Sequence, residues 1–220
     1  MTAFDLFTIG HSNIPPERFT TLLRAAGADT IADVRSVPAS RFCPWFSAKN
    51  LAPLLAGANM DYLFLGDELG GRPRDPSLFR DGIADYEAMA RPSSFRAGLD
   101  RLLSHAARHR LCLMCSEREP IDCHRCLLVA RALAARGVTI GHILHDGSVE
   151  SHAATERRLL ELAGRDGDLF AAGQDARLAA AYRRRARAVA YRLKGANKAP
   201  DRMARKTASK RATVIKKKSR

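Results

Sequence analysis

The chain has 220 residues, enough to bury a core as one domain of ordinary size with an extension. Its formal net charge of +14 is unevenly placed, since residues 183–220 hold 16 Lys and Arg against Asp201 alone, while residues 1–182 hold 21 basic and 22 acidic residues. Five cysteines are too few and too irregularly spaced for a disulfide scaffold, and no apolar run approaches the roughly 18 residues of a membrane span, which excludes both classes and leaves a cytoplasmic protein as the expectation.

The apolar run 4–9, closed by Gly10, predicts a first strand. Pro15-Pro16 can open a helix, and Phe19, Leu22 and Leu23 repeat at helical spacing until Gly27 stops it. Residues 30–34 read as a second strand. A loop carrying Pro38, Phe42, Pro44, Trp45 and Phe46 leads to a helix over 47–56, with Ser47 placed to cap it. Residues 61–65 predict a third strand. The stretch Gly70-Gly71-Arg72-Pro73-Arg74-Asp75-Pro76 must be irregular, and its glycines suit a lid or a close backbone contact. Helices are predicted near 82–90 and 94–109, a fourth strand over 110–115, and a helix over 123–136 ended by Gly137. A fifth strand over 138–144 and a helix over 151–162 complete the pattern.

Strands alternating with helices predict an α/β fold, an open and mostly parallel sheet with helices on both faces. The expected division is a globular unit over 1–164, an Ala/Arg-rich helical extension over 165–193, and a disordered basic tail over 194–220. The tail, with the basic residues from 183 onward, predicts non-specific association with nucleic acid.

Chemistry-bearing residues gather just past the predicted strands, the edge where open α/β sheets bind ligands. After the fourth strand come Cys115, Ser116 and Glu117, then Cys123, His124 and Arg125 at the next helix start, where free N–H groups favour a thiolate or a bound anion. Cys115 is the candidate nucleophile or thiol ligand, with Glu117, His11 and His124 as proton carriers. Ser12, Asp33, Arg35, Ser36, Arg41, Cys123 and Arg125 are the candidate substrate-binding residues, the guanidiniums suiting a small anionic molecule. The structural counter-readings are a core thiol at Cys115, an Asp33–Arg35 ion pair that only fixes the loop, and a Glu117 that only holds Arg125. Two Cys-x-x-Cys pairs, at Cys112/Cys115 and Cys123/Cys126, raise a four-cysteine metal site. Residues three apart on a strand face opposite sides, however, and the spacer is short, so no metal is expected from that set and the cofactor is left open.

Several of these stretches resemble one family in order along the chain: Thr8-Ile9-Gly10-His11-Ser12, Ala32-Asp33-Val34-Arg35-Ser36-Val37-Pro38, Ser40-Arg41, Leu65-Gly66 with Leu69-Gly70-Gly71, and Leu113-Met114-Cys115-Ser116-Glu117 with Cys123-His124-Arg125. They are similar to the family catalogued as domain of unknown function 488. The resemblance implies cytoplasmic α/β proteins and marks the residues that matter without naming a reaction. A second likeness, Asp33-Val34-Arg35 followed by a strand-end cysteine before a helix, is to rhodanese sulfurtransferases, though ten positions separate Cys115 from Arg125 here. An enzyme working through Cys115 on a nucleotide, nucleic-acid component or other anion is the leading expectation. A non-catalytic binding module and a sulfur carrier are the alternatives.

Overall fold

A computed structural model describes residues 4–164 and 173–193; the expected tail over 194–220 lies outside the described residues. The fold is α/β. Strands β1 (Leu6–Gly10), β2 (Thr30–Asp33), β3 (Asp61–Phe64), β6 (Leu111–Cys115), β7 (Ile140–Ile143) and β8 (Val149–Ser151) form one sheet in the order β3-β2-β6-β1-β7-β8; β4 (Phe79–Arg80) and β5 (Ile83–Ala84) stand apart as a hairpin. All neighbours in the large sheet pair in parallel except β7 with β8. The strands β2, β6, β1 and β7 are buried on both faces, which is why they read as continuous apolar runs rather than alternating ones.

Two cores result. On one face, α1 (Pro16–Ala25) and α2 (Ala48–Ala56) press Phe19, Leu22, Leu23, Leu51 and Leu55 onto Ile9, Ile31, Cys112 and Met114. The other face is covered over Ala32, Leu113 and Cys115 by the short helices α3 (Gly66–Leu69) and α4 (Tyr86–Met89) and by α5 (Ser93–Ala106). A π-helical segment (Arg125–Ala130) with its α-helical continuation α6 (Arg131–Ala134), then α7 (His152–Gly164) and α8 (Gln174–Val189), completes that layer. Alternate residues of β6 therefore face opposite cores, and Cys112 and Cys115 point apart as the strand period requires.

Several elements differ from the sequence reading. The helix predicted over 82–90 begins later, as α4, and its first residues belong to the β4–β5 hairpin instead. Asp81 and Gly82 both take positive φ there, 53° and 71°, the conformation a tight two-residue turn demands. Ser47 precedes α2 but does not cap it; its Oγ accepts the Ser40 N–H at 3.1 Å instead. The helix after Cys123 is π-helical over its first turns, and β8 has no counterpart among the predicted strands. Among the described residues, no helix is long and apolar enough to cross a membrane.

Helix α8 packs against α7 and brings Tyr182 to the end of a buried hydrogen-bond chain. Arg125 Nε donates to Thr8 Oγ1 (3.4 Å), Thr8 Oγ1 meets His142 Nδ1 (2.7 Å), His142 Nε2 meets His152 Nδ1 (3.0 Å), His152 Nε2 meets Tyr182 Oη (3.1 Å), and Tyr182 donates to Glu156 Oε1 (2.9 Å). Arginine can only donate and a carboxylate only accept, so every intervening proton has one allowed place. Both imidazoles are neutral and carry their proton on Nε2.

Candidate functional site

The order β2-β6-β1 places a strand that comes late in the chain between the first two. The carboxyl ends of these three strands lie together, with Gly10 beside Cys115 and Asp33 beside Met114 in register. The chains then stay zipped past the strands, His11 N–H donating to Cys115 O and Ser12 N–H to Ser116 O, both at 2.9 Å. That brings the residues that follow β1, β2 and β6 to one edge.

At its centre, Cys115 Sγ lies 2.8 Å and Cys123 Sγ 3.0 Å from the same carboxylate oxygen, Glu117 Oε2. His124 Nδ1 is 3.5 Å from Cys115 Sγ and 3.9 Å from Cys123 Sγ. The other ring nitrogen, Nε2, is 2.8 Å from the Val34 carbonyl, which can only accept, so Nε2 holds a proton. Burial opposes charge on the ring, but the hydrogen bond and charge of Cys123 raise its pKa, so Nδ1 faces the sulfurs as a donor when the ring is charged and as a lone pair when it is neutral. Burial raises the Glu117 carboxyl and the Cys115 thiol above their ordinary values, with the neighbouring Cys123 adding to both. Against the cost of burial, hydrogen bonding to Cys115 and the Arg125 charge hold Cys123 low. The thiolate character therefore belongs to Cys123, and the one backbone N–H directed at this pair, that of Arg125 at 3.4 Å, also goes to Cys123 rather than to Cys115. This is not the arrangement expected of amides cradling Cys115.

Arg125 is fully buried and works as a strut. It donates to the carbonyls of Glu117 (2.5 Å) and Arg118 (3.0 Å), clamping the loop that carries Glu117. It does not line the neighbouring cavity as a substrate-binding residue would. Asp33 and Arg35 form a bidentate pair, Nε to Oδ1 at 2.8 Å and NH2 to Oδ2 at 2.6 Å, with Tyr62 donating to Oδ2 at 2.8 Å. The remaining NH1 of Arg35 reaches His11 Nε2 at 3.2 Å. His11 donates from Nδ1 to its neighbour's carbonyl, Ser12 O, and stacks on Phe46, so its single acceptor nitrogen is already taken by Arg35. In this arrangement neither ring nitrogen of His11 is open to a substrate proton. Arg41 is exposed on its loop and outside the cavity lining, and Ser12 Oγ is turned to Asn13. His142 belongs to the buried chain, and His145 Nε2 meets Gly10 O.

A cavity of about 190 Å³ opens beside the cluster, and its lining includes Cys115, Glu117 and His124 together with Arg35, Ser36 and Arg72. Tyr86 and Tyr191 complete it, from segments distant in sequence. Arg72 carries the guanidinium that Arg41 was expected to supply. Its backbone N–H donates to Ser36 Oγ at 2.9 Å, and its guanidinium sits 5.3 Å from the Tyr191 ring centre. The signal was the Gly70-Gly71-Arg72-Pro73 stretch: Gly71 lies against the His124 ring, where an added Cβ would come within 2.6 Å of Cγ.

Three neutral histidines give a pH dependence. Burial, aided by the Arg35 charge, lowers His11 to about 4; burial also lowers His142 well below its ordinary value of 6.5, and His152 too. The unfolded chain then binds more protons below pH 6.5 than the native one, so stability falls as pH drops from about 6.5 toward 4. His11 alone accounts for about 3 kcal/mol at the lower limit. His124 and Glu117, both raised, oppose this trend because the native state then holds the extra proton. Melting curves at pH 6.5 and 5 should still show a net loss, because three lowered imidazoles outweigh them, and a rise in stability on acidification would overturn the prediction.

The family model described as domain of unknown function DUF488 matches residues 15–132. No curated protein matches the chain, and no solved structure does.

Proposed function

The chain belongs to the DUF488 family, matched over more than half its length, and on that footing we propose an enzyme acting through Cys115 on a small anionic substrate, such as a nucleotide or a nucleic-acid component. The supporting observation is the cavity at the carboxyl edge of β2 and β6, whose lining brings sulfur, carboxylate, imidazole and guanidinium together. Arg72 is the chief anion contact, because Arg35 spends most of its donors on Asp33 and His11. Cys115 is the sulfur that lines the cavity, Glu117 stores a proton beside it, and His124 orients the pair. All five cysteines are free, as a working thiol requires.

Calorimetric titration with inorganic phosphate and with a nucleoside monophosphate, followed by mass analysis of the bound compound, tests this. The unmodified protein should bind at least one of them, Arg72→Ala should weaken binding about tenfold or more, and Cys115→Ser should bind but leave the compound unchanged. Cys115→Ser nearly conserves volume, so its melting temperature should stay close to that of the parent. Anion binding that ignores Arg72, or turnover that survives Cys115→Ser, would remove the reading.

The basic segment supports a second partner, nucleic acid held non-specifically. Part of the charge from 183 onward is already used: Arg183 pairs with Glu87, Arg185 with Asp122 and Arg187 with Asp81. Ala186 and Ala190 are buried, and Tyr191 lines the cavity, so a truncation that spares every described residue removes 194–220, with eleven Lys and Arg against Asp201. Deleting 194–220 should abolish salt-sensitive retention on DNA and leave the melting temperature unchanged. Retention with an undiminished salt slope would place the contact on the body instead.

A further inference from the structure

We infer that Cys115, Cys123, His124 and Glu117 bind a single soft divalent cation of the zinc class. The inference rests on the reading above only in taking this cluster as the working centre, and it assigns the two sulfurs the role of ligands rather than of a free nucleophile.

The four ligand atoms, two Sγ, one Nδ1 and one carboxylate oxygen, all lie within 4.8 Å of one another. A zinc tetrahedron with bonds of about 2.3 Å to sulfur and 2.0 Å to nitrogen has edges of roughly 3.5 Å. Four of the six edges here, at 2.8, 3.0, 3.5 and 3.9 Å, scatter about that figure, and the other two are within 4.8 Å. Small shifts of side chains would centre an ion.

Proton counting points the same way. Four groups rich in lone pairs converge, and the imidazole Nε2–H is turned away to Val34 O, which leaves Nδ1 facing the sulfurs. A single proton joins only two of these atoms and cannot lie between all four at once. A cation can. The Nε2–H to carbonyl bond is also the outer partner that metal-bound histidines keep, fixing the tautomer and the ring plane. Arg125 clamps the Glu117 loop from behind, and Gly71 closes on the opposite face of the imidazole, so the set is held before any ion arrives.

The second convergence of this kind, Cys126 with His142 and His152, makes the contrast. There the chain from Arg125 to Glu156 gives each imidazole N–H an acceptor and each imidazole lone pair a donor, leaving nothing for a cation to satisfy. Ligand type selects the ion: two thiols and an imidazole disfavour magnesium and calcium and suit zinc. Loading the site ionises the thiols and releases their protons to solvent. Glu117, set on the cavity side, is the ligand that a water or a substrate oxygen can displace, and it would then stand beside that oxygen as a base.

Cobalt(II) titration of the full chain, stripped with a chelator under reductant, tests the inference. The expected result is one equivalent bound, with the visible bands of a tetrahedral ion and a near-ultraviolet sulfur-to-cobalt band, displaced by zinc but not by magnesium. Cys115→Ser and Cys123→Ser should each weaken the sulfur band, and Cys126→Ala should leave it unchanged. Absence of a sulfur band in the unmodified protein, or its loss in Cys126→Ala alone, overturns the site. Turnover of a bound anion that persists in excess chelator overturns the metal while the enzyme reading stands. A bound ion without any anion binding or turnover overturns the enzyme reading while the metal stands.

Discussion

Replacing Asp33 with Asn is expected to cost about 3–5 kcal/mol of stability, because it leaves the Arg35 guanidinium buried without its counter-charge. The pair is almost inaccessible, Asp33 at 0% and Arg35 at 4% exposure, so water cannot take over the missing interaction. Asp33 also accepts from the Tyr62 hydroxyl, whose titration burial and the Asp33 charge push upward, keeping that group a donor. An asparagine has one acceptor oxygen where two are used. Denaturant unfolding of the variant would give the loss directly. The informative companion is the double variant Asp33→Leu with Arg35→Met, which removes both charges and should cost less than Asp33→Asn alone. A single-variant loss below about 1 kcal/mol would mean that the pair behaves as a surface salt bridge.

The second large effect concerns Gly10. A Cβ at this position would stand 1.7 Å from Glu117 O and 2.9 Å from Arg125 NH1. Neither neighbour is the free end of a flexible chain: one is backbone and the other is the buried strut bonded to it. Gly10→Ala must therefore push the 116–118 loop off the end of β1, and overpacking of this kind costs about 3 kcal/mol or more. The same displacement breaks the Arg125–Glu117 contact and carries the Glu117 carboxylate away from both sulfurs. Alkylation of Cys115, slow in the parent because the sulfur is buried, should become faster. A variant with parental melting temperature and parental alkylation rate would show that the loop is not packed on the strand.

The sheet and most of the helices are legible in the sequence because β1, β2, β6 and β7 are buried on both faces and so appear as unbroken apolar runs. The β4–β5 hairpin is not, since strands of two residues carry no period, although Asp81-Gly82 is a turn signal that outweighs the helical look of residues 83–90. Cys115, Glu117, Cys123 and His124 are legible as a group because they flank one strand and one helix start. The hidden part of the site is set by tertiary distance. Arg72, Tyr86 and Tyr191 reach the cavity from three separate segments, while Arg41, nearer in sequence to Arg35, stays exposed on its loop. The four cysteines of the two Cys-x-x-Cys pairs look like one set in the sequence. Folding splits them, sending Cys112 to the opposite core and Cys126 toward the histidine chain, and leaves Cys115 and Cys123 together around Glu117 and His124.

The position of β1 bears on how this family is cut into parts. The matched stretch, residues 15–132, begins after β1 and ends before β7, yet β1 lies between β6 and β7 and hydrogen-bonds both. Excised at those limits, the segment would keep only β3-β2-β6 of the large sheet and expose β6 as a raw edge, a template for pairing with other chains. Arg125 would lose Thr8, and the loop it clamps would lose the strand end it rests on. The stretch matched by the family model is thus narrower than the unit that can stand alone: an expressible module has to start before Leu6 and run on through the helix that supplies Tyr182.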